Sequence, residues 1–218
     1  MAKLDGSWLR AAFVLVLAVA SLVHTAPADA APRLIRHAAF EPRHVTARDV
    51  TVWLPDGYRE DGPPLPVVYM QDGQNLHDGA RAFGGQSWEV GETVARLIRE
   101  GKIPPVIVVG IDNSSARGRE YLPQRIFDLL PEVSRAMIRN GWGGDPQSDA
   151  YLKFLVRELK PFVDAHYRTR TDRSGTFVMG SSMGGLISLY AQIQYPEKFG
   201  GSASLSMHCL LGKSDKPL

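Results

Sequence analysis

Cysteine is almost absent from this sequence, which contains one, Cys209, among 218 residues. A single thiol excludes an intramolecular disulfide and a cysteine-based metal site, so we expect Cys209 to be a small buried side chain. An excess of charge of one sign is also missing, because the formal net charge is only +2. Without a dense cluster of lysine and arginine, a nucleic-acid or anionic-membrane partner is not predicted.

A long hydrophobic run is missing as well. The apolar run over residues 11–23 is shorter than the roughly 20 residues that a membrane-spanning helix needs. Lys3 and Arg10 precede this run and a small-residue site ending at Ala30 follows it, which is the layout of a secretory signal peptide. We therefore expect residues 1–30 to be removed and the protein to be secreted or periplasmic. A membrane anchor is the alternative.

The remaining residues, 31–218, contain no repeat or low-complexity block and are interpreted as one domain. Apolar and β-branched segments predict strands at 34–40, 50–54, 67–70, 106–111, 176–179 and 202–205. Helical spacing of apolar residues predicts helices near 88–98 (stopped by Gly101), 152–163 (capped by Ser148 or Asp149) and 186–193 (ending before Pro196). This alternation predicts an α/β fold with a mostly parallel sheet and helices on both faces.

Residues 113–147 interrupt the alternation. They are rich in glycine and proline around a short helical pattern near 127–138. Such an excursion between a strand and the next helix serves in many proteins as a lid or substrate wall. A surface insertion without function is the alternative.

The sharpest motif is Gly180-Ser181-Ser182-Met183-Gly184, a GxSxG pattern between a predicted strand and a predicted helix. A hydroxyl at the tip of so tight a turn is exposed for attack, and its neighbours two residues away must be very small. We predict Ser182 as a nucleophile and the amide of Met183 as an oxyanion donor. A glycine-rich loop without catalytic purpose is the alternative.

A second amide for an oxyanion hole should follow the strand at 67–70. There the sequence continues with Gln71, Asp72, Gly73 and Gln74. Gly73 permits an unusual backbone turn, so the amide of Gln74 is the candidate donor, with Asp72 and Gly73 at the substrate pocket. A plain Asp-Gly turn is the alternative.

Several segments together resemble the putative esterase family of α/β-hydrolases, which includes enterochelin-esterase-like enzymes and relatives of esterase D. They are Met70-Gln-Asp-Gly-Gln-Asn-Leu76, Arg119-Glu-Tyr-Leu-Pro123, the stretch 151–161 and Met179-Gly-Ser-Ser-Met-Gly-Gly185. The resemblance implies an α/β-hydrolase fold and serine-dependent hydrolysis of a small-molecule ester, without metal or cofactor. It matches Ser182 to the nucleophile and Met183 and Gln74 to the oxyanion donors, but it does not define the substrate.

Glu120 and Tyr121 follow the strand at 106–111, where side chains reach a pocket rim in such sheets. With Arg117 and Arg119 nearby they could hold a polar or anionic substrate group, or form a surface ion pair beside a packed tyrosine. Trp88 could line the pocket or pack in the core.

The acid and base of a catalytic triad are not identifiable. Such a fold places them after later strands, but after Ser182 the sequence has one histidine, His208, and the acids Glu197 and Asp215. His208 comes early for the base and is interpreted as a pocket residue, while Glu197 lies in a helix exit. The expectation is a domain incomplete at its C-terminus. The function predicted is an exported serine esterase; the alternatives are an inactive remnant or binding module, and an acyltransferase.

Overall fold

The structure, a computed structural model, describes residues 31–207. The predicted signal peptide lies outside these residues, and so do His208, predicted to be a pocket residue, and Cys209, predicted to be buried.

Across residues 31–207, a six-stranded sheet forms the centre of the fold. The strands are β1 (Arg33–Phe40), β2 (Arg48–Leu54), β3 (Val67–Gln71), β4 (Ile107–Ile111), β5 (Thr176–Ser181) and β6 (Gly201–Leu205). Their order across the sheet is β1-β2-β4-β3-β5-β6. The neighbours from β4 to β6 are parallel, whereas β1 and β2 pair antiparallel with each other and β2 pairs antiparallel with β4. The predicted α/β class and mostly parallel sheet are confirmed, and all six predicted strands are present.

Both faces of the sheet are covered. Successive residues of a strand point to opposite sides, and buried side chains lie on each side. Val52, Tyr69, Val109 and Val178 belong to the larger core cluster, while their neighbours Trp53, Met70 and Val108 belong to the smaller one. Near-continuous apolar strands are what a sheet buried on both faces requires. This explains why the strands were recognisable in the sequence.

Seven α-helices accompany the sheet in the described part of the chain. They are α1 (Val90–Arg99), α2 (Arg117–Tyr121), α3 (Gln124–Asp128), α4 (Glu132–Trp142), α5 (Ser148–Phe154), α6 (Lys160–His166) and α7 (Met183–Gln194). Helix α1 covers the smaller cluster, and α5, α6 and α7 cover the larger one. The three predicted helices are present, and α7 ends before Pro196 as expected.

Two helix starts differ from the prediction. Trp88 precedes α1, because Glu89 takes a left-handed backbone with φ 51° immediately before Val90. Neither Ser148 nor Asp149 caps α5, whose N-cap is Gln147. The Ser148 hydroxyl instead accepts a hydrogen bond from the Gln124 amide at 2.8 Å, and Asp149 accepts one from the Tyr190 hydroxyl at 2.9 Å. Contacts with distant residues have replaced local capping at both positions.

The predicted helix at 152–163 is continuous but not uniform. A π-helical segment, Leu155–Leu159, joins α5 to α6. Pro161 lies in the first turn of α6, and its missing N–H removes the bond that an α-helix would make to the carbonyl of Arg157. A wider turn accommodates that loss.

The excursion at 113–147 contains three helices, α2, α3 and α4, instead of the one predicted. Two of them, α2 and α3, have five residues each. Helices this short do not form in isolation and depend on tertiary packing, which for α2 comes through the buried side chains Glu120 and Tyr121.

Helix α7 offers a matched test of the core. Ile187 is fully buried in the larger cluster, whereas Ile193 on the same helix is 60% exposed. Ile187→Ala is expected to lower the free energy of unfolding by about 2–5 kcal/mol, through lost burial and the cavity left behind. Ile193→Ala is expected to change it by less than about 0.5 kcal/mol. Urea unfolding followed by circular dichroism measures both, and equal losses would contradict this assignment of the core.

Candidate active site

Ser182 lies at the sharp junction between β5 and α7. Its backbone has φ 56° and ψ −122°, a sparsely populated conformation for a residue with a Cβ atom, costing on the order of 1–3 kcal/mol. Its amide donates a hydrogen bond to the Leu205 carbonyl at 2.9 Å, so β6 helps to hold the junction. The strand-to-helix turn predicted from the GxSxG motif is present.

The glycines of the motif are required by close approach. A Cβ atom on Gly180 would overlap the backbone carbonyl group of Gly184. A Cβ on Gly184 would lie 3.1 Å from Oδ2 of Asp72, and one on Gly185 would lie 3.1 Å from the Gly180 carbonyl oxygen. Larger residues at these positions would push α7 away from the sheet and open the turn that exposes Ser182.

The amides at the start of α7 are available to a ligand. The Ser182 carbonyl accepts hydrogen bonds from the amides of Gly185 at 3.1 Å and Leu186 at 3.2 Å. The amide of Met183 comes before these in the first turn, where N–H groups have no acceptor within the helix. Such a group, together with the positive end of the helix dipole, can stabilise negative charge beside the serine.

A short 3₁₀ turn, Gly73–Asn75, carries the second predicted amide donor, Gln74. The residue with the left-handed backbone is Asp72, with φ 58° and ψ 48°, which corrects the expectation that Gly73 supplies the unusual conformation. Gly73 is needed for space, because a Cβ there would lie 2.6 Å from the carbonyl carbon of Gly110 on β4. The Gln74 side chain accepts a hydrogen bond from the Asn113 amide at 3.1 Å, which steadies the turn.

Asp72 connects this turn to its surroundings. Its side chain is 3% exposed and receives a bidentate ion pair from Arg117, with Nε to Oδ1 at 2.6 Å and Nη2 to Oδ2 at 2.8 Å. The Asn113 side-chain amide adds a bond to Oδ1 at 2.7 Å. The hydrogen bond to Asp72 raises the pKa of Arg117 above its already high value. Charge-assisted bidentate bonds of this kind fix both partners in orientation.

A cleft of about 570 Å³ opens in front of Ser182. Its walls come from the 73–75 turn, the loop before α1, the segment after β4 and the junction itself. The lining residues are Asp72, Gln74, Asn75, Arg81, Phe83, Trp88, Asn113, Arg117, Ser181 and Ser182. The volume is in the range of small-molecule sites, and Ser182 and Gln74 share it.

The sequence model of a family described as "Putative esterase" matches residues 44–217. The chain belongs to this family.

Curated relatives of this family member include an uncharacterised protein of Bacillus subtilis, 28% identical over 159 residues, and a siderophore enterobactin esterase of Emericella nidulans, 26% identical over 183 residues. The matches cover 73% and 75% of this chain, but only 56% and 59% of those relatives. The chain thus spans a little more than half their length. Among solved structures, an IroE-like serine hydrolase from Shewanella oneidensis aligns with a TM-score of 0.61 at 25% identity, covering 81% of this chain and 50% of the other.

Three predicted pocket residues of this esterase-family chain, Gly73, Glu120 and Tyr121, do not line the cleft. Glu120 is 1% exposed and makes a bidentate pair with Arg48, at 2.9 and 2.6 Å, plus a hydrogen bond from Ser114 at 3.0 Å. The expected alternative, a surface ion pair, is also corrected, because the Arg48 side chain is equally buried. Tyr121 is fully buried, which raises the pKa of its hydroxyl well above the usual value.

The remaining candidates divide between the cleft and the scaffold. Trp88 lines the cleft and is 40% exposed. His77 is half-buried beside Trp53 and Gly91, and burial lowers its pKa. Glu197 is exposed in the turn after α7. Asp164 is paired with Lys160 at 2.7 Å, as a structural charge would be.

Sequence reasoning missed three cleft residues, Arg81, Phe83 and Asn113. Asn113 lies two residues beyond β4, so the rule that ligands bind at the carboxyl ends of parallel strands would have found it. Arg81 and Phe83 lie in a loop without any periodic pattern or motif. Their position depends on tertiary contacts alone.

Residues 31–207 contain no cluster of three or more histidine, cysteine or acidic side chains arranged to hold a metal ion. None of the helices in this range has the length and apolar character needed to cross a bilayer.

The close approach at the junction can be tested with two glycines. Gly180→Ala is expected to lower the free energy of unfolding by about 1–3 kcal/mol, because the new methyl group must displace the backbone of Gly184. Gly141→Ala is the control, since Gly141 lies in α4 with open space around it, and a gain of about 0.5–1 kcal/mol is expected there. Chemical denaturation measures both variants. A neutral Gly180→Ala would show that the junction is looser than described.

The role assigned to Glu120 leads to another comparison. Glu120→Gln leaves the buried Arg48 without its counter-charge and should cost about 3–5 kcal/mol of stability. Asp61→Asn removes the partner of Arg59 in an exposed pair and should cost far less stability, because solvent screens an exposed ion pair. Thermal and urea unfolding would show the difference. A Glu120→Gln protein of unchanged stability would rule out the buried pair.

Proposed function

We propose that this chain is a serine-dependent carboxylic ester hydrolase in which Ser182 forms an acyl-enzyme. The observation that carries the proposal is the strained backbone of Ser182, which holds the residue at the mouth of a cleft with the first amides of α7 beside it. Membership of the esterase family supports hydrolysis of an ester. The nucleophile and the acyl intermediate are inferred from this geometry.

In the proposed reaction, Oγ of Ser182 attacks the ester carbonyl carbon. The carbonyl oxygen becomes an oxyanion that accepts hydrogen bonds from the amides of Met183 and Gln74. The carbon–oxygen bond to the alcohol then breaks, the alcohol leaves with a proton, and water hydrolyses the acyl-serine ester. Pre-oriented amide donors are effective because they need no reorganisation when the charge develops, and each is worth on the order of 10²–10³ in rate.

The hydroxyl of Ser182 must lose its proton to a base. Within residues 31–207, no histidine is among the side chains that line the cleft. We therefore propose that residues outside the described range supply the base. Without such a base, a serine hydroxyl is a weak nucleophile at neutral pH.

Export is part of the proposal and rests on the sequence of residues 1–30. The substrate is proposed to be a small-molecule ester, because the cleft has the volume of a small-ligand site.

Adjacent serines supply a matched test of the nucleophile. A fluorophosphonate probe is expected to label the folded protein, and Ser182→Ala should abolish both the labelling and the hydrolysis of p-nitrophenyl acetate. Ser181→Ala should keep most of both, because Ser181 is the last residue of β5 and lacks the strained turn. Intact-protein mass spectrometry and release of p-nitrophenol are the measurements. Absence of labelling on folded protein would reject the proposal in favour of a remnant that binds without catalysis. Labelling that persists in Ser182→Ala would reject Ser182 as the nucleophile and assign that role to another residue.

A further inference from the structure

Two aromatic side chains face the cleft of Ser182 without being packed into the core. Phe83 is 92% exposed and Trp88 is 40% exposed, and both line the same cavity as the serine. Contact with another apolar surface is normally favourable for exposed rings of this size. A ligand group in the cleft would supply that surface.

The backbone amides of both aromatic residues are hydrogen-bonded to the same residue, Asn75. The amide of Phe83 donates to Oδ1 of Asn75 at 2.8 Å, and the amide of Trp88 donates to its carbonyl oxygen at 2.7 Å. Asn75 is itself buried and ends the turn that carries Gln74. The loop that holds the rings is therefore fastened to the turn that is proposed to bind the oxyanion.

The segment around Phe83 is held by backbone contacts and not by packing of the Phe83 ring, which is 92% exposed. The Gly85 amide donates to the Ala82 carbonyl at 3.0 Å, and Gly84 and Gly85 both have left-handed backbone, with φ 80° and 77°, where a Cβ atom would meet nothing within 4 Å. The hydrogen bond from the Phe83 amide to Asn75 is the bond that fixes Phe83 to the turn carrying Gln74.

Charge in the cleft does not favour an ionic ligand. Arg117 is neutralised by Asp72, and Arg81 is paired with Asp112 and, at 3.3 Å, with Asp49. Each cation that lines the cleft already has a carboxylate partner. An uncharged group with a flat apolar face fits this environment better than an anion.

We propose that Phe83 and Trp88, positioned by Asn75, form a subsite for an uncharged planar aromatic ring joined to the ester that Ser182 attacks. This assignment rests on the proposed function only in taking the ligand to be an ester, because binding of the ring itself needs no catalysis. Contact between the ring of the ligand and those of the subsite favours a planar ring over a saturated one of similar size. The preference expected is between about twofold and tenfold.

Two uncharged amides of nearly equal size test the subsite directly. N-propylbenzamide and N-propylcyclohexanecarboxamide differ in whether the ring is planar, and neither can be hydrolysed readily. Their affinities would be measured by ligand-observed NMR titration of the Ser182→Ala full-length protein. The benzamide is expected to bind more tightly. Equal affinities, or no binding of either amide, would overturn the proposal.

Leucine substitutions test the residues. In the same background, Phe83→Leu and Trp88→Leu keep an apolar side chain but remove the ring, and each should reduce the preference for the benzamide towards unity. Leu129→Ala is the control, because Leu129 is an 85% exposed apolar residue that does not line the cleft; it should leave the preference unchanged. A preference that survives both ring substitutions would overturn the assignment. Phe83→Leu remains decisive if Trp88→Leu fails to fold, since so exposed a ring contributes little to stability.

Asn75 is assigned as a positioning residue. Asn75→Ala removes the acceptor for the Phe83 amide and should lower the benzamide preference although both rings remain, whereas Asn75→Asp keeps an oxygen acceptor and should restore it. Loss of folding alone would reduce the binding of both amides equally. An unchanged ratio in Asn75→Ala would remove Asn75 from the proposal.

Hydrolysis of ethyl benzoate and ethyl cyclohexanecarboxylate by the unsubstituted protein separates this inference from the proposed function. Ring-selective binding without hydrolysis of either ester would reject the esterase mechanism and keep the subsite. Hydrolysis of both esters at equal efficiency, unaffected by Phe83→Leu, would keep the mechanism and reject the subsite.

Discussion

The left-handed backbone at Ser182 is the constraint on which the rest of the site depends. Its φ of 56° can persist only because the surrounding backbone leaves no alternative. A Cβ atom on Gly180 would overlap the carbonyl group of Gly184, one on Gly184 would lie 3.1 Å from Oδ2 of Asp72, and Gly185 lies against both Gly180 and β6. Because the same contacts bring α7 against the sheet, the strained turn and the packing of the helix form one arrangement. Loosening either would move the first amides of α7 relative to the serine hydroxyl.

Asp72 connects the start of α7 to the turn on the other side of the cleft. Its carboxylate lies beside Gly184, within 3.1 Å of where a Cβ atom would be, and it is also held by Arg117 and Asn113. Asp72 directly precedes the turn that carries Gln74. One buried carboxylate thus touches the start of α7 and anchors the turn opposite it. This explains why a charged residue occupies a position with so little solvent: its negative charge is balanced by a guanidinium whose geometry matches it.

The sequence was informative wherever the structure is determined by local pattern. The strands that are buried on both faces appear in the sequence as apolar runs. The junction at Ser182 was predictable because the spacing of its glycines reflects the close backbone contacts of a tight turn. Residues whose environment depends on distant partners were not predictable in this way. Glu120 is buried because Arg48, 72 positions earlier in the chain, reaches it, and nothing in the local sequence shows that pairing. Likewise, Gly73 was recognised as special, but the reason, contact with Gly110 on β4, required the register of the sheet. Helices α2 and α3 are too short to give a periodic signal.

The distribution of charge in the cleft bears on how selectivity arises. Arginine at a ligand site ordinarily indicates recognition of an anion, and Arg81 and Arg117 would support that reading if considered alone. Their bonds to Asp112, Asp49 and Asp72 change it, because a bound anion would have to compete with carboxylates already in place. The two arginines instead connect segments of the scaffold. Arg81 joins its loop to Asp112 after β4 and to Asp49, and Arg117 joins α2 to Asp72 before the 73–75 turn. In the proposed enzyme, selectivity would then depend on the shape of the cavity and on the apolar groups on its wall. Phe83 and Trp88 lie in a loop outside the sheet, so a substitution there would leave the contacts around Ser182 and Asp72 in place.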